Sequence, residues 1–121
     1  MLSKIVLIAI MSFTFIANNC GDKAGEGEVA KRGYATAQPV IDALEKYHRE
    51  TGKYPDTWVK LVPNYLKEIP KDTGDLRYSY LYNESKNMFV LEFTYDGSGI
   101  AGIVECNYYS NTKSWSCGGK V

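Results

Sequence analysis

Three cysteines are the residues most able to do chemistry in this chain. Cys106 and Cys117 stand either side of a polar tip in "VECNYYSNTKSWSCGG", residues 104–119. A dithiol redox site would call for Cys-x-x-Cys, which is absent. A structural zinc site would call for four ligands, and His48 is the only histidine. No nucleophile elbow, Gly-rich phosphate loop or metal-ligand spacing occurs either, so the sequence speaks against an enzyme, a cofactor or a metal. Paired carboxylates are a spatial matter; Asp72, Asp75 and Asp96 read as turn residues. Aromatic residues are the other chemical asset, with ten tyrosines against four phenylalanines. Tyr78, Tyr80 and Tyr82 on one strand face, with Tyr109 elsewhere, are a candidate binding surface, because aromatic rings anchor interfaces. The competing reading is that they pack across strands or against a helix, with ring buried and hydroxyl wet.

Folding the segment back about Asn111 and Thr112 decides the role of the pair. Cys106 then lies opposite Cys117, Tyr108 opposite Trp115 and Val104 opposite Gly119. Alternate residues share a face. Val104, Cys106, Tyr108, Trp115 and Cys117 fall on an apolar side, and Glu105, Asn107, Tyr109, Ser114 and Ser116 on a largely polar one. The register that pairs the cysteines also sorts the faces, as a half-buried hairpin requires. The expectation is a structural disulfide between Cys106 and Cys117.

A disulfide needs an oxidising compartment, and the first residues supply a route to one. "MLSKIVLIAIMSFTFIANNC" has one lysine, Lys4, and an apolar run from Ile5 to Ile16. That run is shorter than the roughly 20 residues a membrane span needs. A positive start, a short apolar stretch and small polar residues describe a secretory signal peptide, residues 1–19. Its removal takes away one lysine and leaves a nearly neutral chain. No net field then draws in nucleic acid. "GDKAGEGE", residues 21–28, lacks large apolar residues and reads as a flexible tether.

The remaining chain, 29–121, is expected to form one α+β domain. "EVAKRGYATAQPVIDALEKYHRETG" carries Tyr34, Ala37, Val40, Ile41, Leu44 and Tyr47 at spacings of three and four, an amphipathic helix. Pro39 either opens that helix or kinks a longer one, and Gly52 closes it. Asp56 is placed to cap a short helix holding Trp58, Leu61 and Val62. Strands follow at Arg77–Asn83, Asn87–Tyr95, Ile100–Tyr109 and Ser114–Cys117, joined by short turns at "NESK" and "DGSG". Short links imply a four-stranded antiparallel meander with the helix across one face.

Two resemblances extend this reading. "Ala17-Asn18-Asn19-Cys20" resembles a bacterial lipobox, although Asn19 stands where a small residue is usual. The resemblance implies lipid on Cys20, which would leave Cys106 and Cys117 as an even pair. It further implies periplasmic attachment to a bacterial membrane; Gly21, rather than Asp, after the cysteine leans towards the outer one. "ALEKYHRETGKYP", Ala43 to Pro55, resembles the helix end written A-L-x-x-Y-x-x-x-x-G-x-Y-P in type IV pilins and type II secretion pseudopilins. "LVPNYLKEIPKDTGD", Leu61 to Asp75, is similar to the loop that follows it there, and "YSY" to the next strand. The leader departs: there is no Gly-Phe processing site and no Glu early in a continuous filament helix. The resemblance therefore implies a pilin-like soluble domain without filament assembly. The function expected is non-enzymatic binding by an envelope-tethered accessory protein, whose partner is a protein of the cell envelope such as a pilus or secretion subunit. A small lipoprotein inhibitor of an enzyme such as a lysozyme is the alternative.

Overall fold

The computed structural model describes residues 23–97 and 102–120. The expected signal peptide, Cys20 and the expected start of the third strand at Ile100 lie outside the described residues. One helix, α1 (Gly27–Thr51), precedes a short 3-10 turn (Trp58–Leu61) and four strands. The strands are β1 (Arg77–Asn83), β2 (Met88–Asp96), β3 (Ile103–Tyr109) and β4 (Ser114–Lys120). They pair antiparallel in the order β1-β2-β3-β4. The fold is α+β, one helix on a four-stranded meander. Among the described residues, no helix is long and apolar enough to cross a membrane.

α1 buries Ala30, Gly33, Ala37, Val40, Ile41, Ala43 and Leu44, a stripe at helical spacing. The stripe is unusually small in side chain, so the helix can lie close to the sheet. Gly33 is the tightest point. A Cβ built there would stand 2.6 Å from Cε2 of Phe93. The helix accepts about 1 kcal/mol of glycine penalty and gains room for a fully buried ring in the central strand. Pro39 sits inside α1, which runs through it. The helix stops at Gly52, whose φ of 81° is left-handed and whose N–H bonds to the His48 carbonyl at 2.8 Å.

The short turn is capped by Thr57, whose hydroxyl accepts from the Val59 N–H, and not by Asp56 as expected. Asp56 instead pairs with Lys60, one turn on, at 2.7 Å. A residue later in the chain was in the better position, since Thr57 already has the extended backbone of a cap.

The inner sheet face is aromatic from edge to edge. Trp58 stacks on Tyr80, Tyr80 meets Phe89, Phe89 meets Tyr108, and Tyr108 meets Trp115. Tyr34 of α1 packs edge-on to both Trp115 and Phe93. The rings are the wide side chains that fill the space a small-residue helix leaves. Ser110, buried at the hairpin tip, accepts from the Phe89 N–H with its hydroxyl at 2.9 Å, while its own N–H donates to the Phe89 carbonyl. That exchange ties the last hairpin to β2.

Candidate functional site

The hairpin takes the expected register: Cys106↔Cys117, Tyr108↔Trp115 and Val104↔Gly119. Cys106 and Cys117 form a disulfide across 4.1 Å between Cα atoms. Cys106 is fully buried. Tyr34 covers the bridge, its oxygen 3.2 Å from Cys117 Sγ. The same hydroxyl donates to the Gly25 carbonyl at 3.0 Å, and the Gly25 N–H donates to the Tyr95 oxygen at 2.9 Å. Gly25 has φ +82°, and a Cβ there would come within 2.6 Å of Cys117 Sγ. A glycine is needed both for the backbone and for the approach. Burial, then the neighbouring Tyr95 and Glu26, raises the Tyr34 pKa, so the phenol stays a neutral donor.

This cluster corrects one expectation. The run to Glu28 was read as a free tether, yet residues 23–26 form a turn whose Gly25 is docked on the disulfide, and α1 begins at Gly27. One of the two hydrogen bonds that hold it comes from Tyr95, 70 positions away, which composition does not reveal.

The strand tyrosines also stand differently from a free aromatic patch. Tyr78, Tyr80 and Tyr82 share the inner face of β1, opposite Phe93, Leu91 and Phe89 of β2, and all three are half-buried against the core. The Tyr80 hydroxyl donates to the Pro55 carbonyl at 2.6 Å, and burial raises its pKa far above the usual range. Tyr109 lies on the outer face, paired with Val90, so the four do not form one surface. Packing across strands won because the alternation that aligned the rings also turned them to the helix.

An open hollow of about 360 Å³ lies at the C-terminal end of α1, lined by Tyr47, Lys53, Tyr54, Pro55, Lys60 and Tyr82 among others. Tyr54 is its best-held member. It stacks on His48, and its hydroxyl donates to Glu45 at 3.0 Å. Burial first, and that carboxylate second, push the Tyr54 pKa up to about 12. His48 also approaches Asn87, Nε2 to Nδ2 at 3.4 Å. Its neighbours are a ring and an amide, a setting that holds a turn and offers no nucleophile to activate.

The three aspartates occupy separate posts. Asp72 accepts from the Tyr78 N–H at 3.0 Å. Asp75 pairs with Arg32 of α1, which raises the guanidinium pKa and lowers that of the carboxyl, and it also accepts from Thr73. Asp96 faces Arg77 at 3.7 Å. Among the described residues, no cluster of three His, Cys, Asp or Glu side chains is placed to hold a metal ion. What the described residues offer chemically is a sealed bridge, neutral phenols and backbone edges. No family model, no curated protein and no solved structure matches this chain.

Proposed function

We propose that this protein is a non-enzymatic binding protein with a pilin-like domain, exported and tethered by lipid on Cys20 to a bacterial membrane, where it assists or interferes with a pilus or secretion system. One observation carries the reading: the segment that resembles pilins is folded as a helix end, a turn, a loop and a strand placed on a disulfide-closed meander. Gly52 is the left-handed cap, Tyr54 packs back against the helix through Glu45, and Asp72 of the loop meets the first strand. The chemistry of the described residues agrees with binding, because burial holds the phenols of Tyr34, Tyr54 and Tyr108 neutral.

The test is capture of the anchored protein, after mild crosslinking, from its native envelope. Recovery of pilus or secretion subunits, with radiolabelled palmitate on wild type and not on Cys20→Ser, supports the proposal. Recovery of a glycan hydrolase in their place overturns it in favour of an inhibitor.

A further inference from the structure

β1 and β4 are the two edges of the sheet. An edge strand turns alternate N–H and C=O groups away from its neighbour, and natural sheets cover or blunt such rows with loops, prolines, bulges or charges. β1 is covered by the loop ahead of it: Asp72 takes the Tyr78 N–H, and Tyr80 reaches the Pro55 carbonyl. β4 has no such cover among the described residues. Its backbone partners are on β3, through seven unbroken pairs without a bulge. From Ser114 to Gly119 the strand holds no proline and no charge, and Ser114, Ser116, Gly118 and Gly119 are exposed. Small side chains let another backbone approach. Beside them, a hollow of about 260 Å³ is lined by Glu105, Asn107, Ser116, Gly118 and Gly119.

We propose that β4 is a strand-addition site: an extended peptide segment of a partner protein pairs with its free edge and seats one side chain in this hollow. In that mode main-chain hydrogen bonds supply affinity and a side-chain hollow supplies selectivity. The segment carries an acidic residue at the end that meets Lys113, the exposed charge that immediately precedes the strand. The inference deepens the binding reading above and rests on it for the source of the partner.

Amide hydrogen exchange on the processed chain tests it. The probe is a pool of capped octapeptides with Glu at both ends and Val, Ile, Thr, Tyr or Ser between. Outward amides of β4 are expected to exchange fast in the free chain and to slow by roughly tenfold or more with the pool, while Tyr78 is unchanged. Gly118→Gln fills the hollow without setting a second carboxylate opposite Glu105, and an added Cβ there meets nothing within 4 Å; it is expected to abolish the slowing. Protection of the whole of β4 in the free monomer, slowing confined to β1, no slowing with any pool member, or a concentration-dependent dimer protected at β4 overturns the inference. In the envelope capture, equal recovery of a partner by wild type and Gly118→Gln sinks the β4 site and leaves the binding reading standing. Failure to recover any partner, with β4 still protected by the pool, does the reverse.

Discussion

Strands β1 and β4 bound the same sheet, yet their outer edges meet different surroundings. β1 has a carboxylate on its Tyr78 amide, a proline carbonyl on its Tyr80 hydroxyl and the Trp58 ring stacked at its side. β4 has small side chains on its outer face, no cover on its edge among the described residues, and a covalent tie to β3. The long loop between α1 and β1 is the material that covers one edge. No equivalent length of chain follows β3, where Ser110–Lys113 closes the hairpin. The contrast teaches that the disulfide stands in for a cover: β4 is kept in place by a crosslink where β1 is kept in place by neighbours.

The largest effect should come from breaking that crosslink. Cys106→Ser with Cys117→Ser removes a bridge of sequence separation 11, which the chain-entropy account values at about 3 kcal/mol. Denaturant unfolding should show that loss, and exchange should rise across β4 well before β1. Equal loosening of both edges would end the comparison.

The next effect acts at the other side. Tyr54 has its folded pKa raised to about 12 from an ordinary 10. A raised pKa means the stabilising contribution is fully present below pH 10 and disappears as pH climbs from 10 through 12. By linkage the loss is on the order of 2 kcal/mol. Tyr54→Phe should flatten that alkaline limb in thermal unfolding, and a limb as steep as wild type would assign it to another group.

Smaller again is Tyr34→Phe, which keeps the ring contacts and deletes the hydroxyl on Gly25. About 1 kcal/mol is expected, the net value of one hydrogen bond. The amide of Gly25 should exchange faster while the β4 register persists in nuclear Overhauser contacts. Asp72→Ala is the mildest test. It uncovers the Tyr78 amide, and exchange at that one position should quicken while global stability changes by less than about 1 kcal/mol. If Tyr78 stays protected, the loop backbone rather than the carboxylate is the cover.

Much of this was readable from residue order. The last hairpin announced its register because one alternation had to satisfy cysteine pairing and face sorting together. The helix was legible from its stripe, though its start was not. Gly25 and Gly27 look like linker until the contacts of Tyr34, Tyr95 and Cys117 are known, and those are tertiary. The Thr57 cap lost to Asp56 in the sequence because both residue types cap well and only the backbone angle separates them. The β1 tyrosines were ambiguous for a related reason: period two aligns three rings but does not say which side the helix covers. The cover on β1 was illegible altogether, since Asp72 finds Tyr78 through irregular backbone that has no period.

The docking of Gly25 has a mechanical side. Any pull on the chain ahead of Lys23 enters the domain at Gly25, where the Tyr95 hydroxyl holds the N–H and the Tyr34 hydroxyl holds the carbonyl of one residue. These bonds stand in series with the helix behind them, so they must slip before α1 can be unwound from its first turn. The load meanwhile arrives next to the one hairpin whose strands are joined covalently. A domain hung in this way yields first at a two-bond latch that can reclose, and its aromatic core stays out of the line of force.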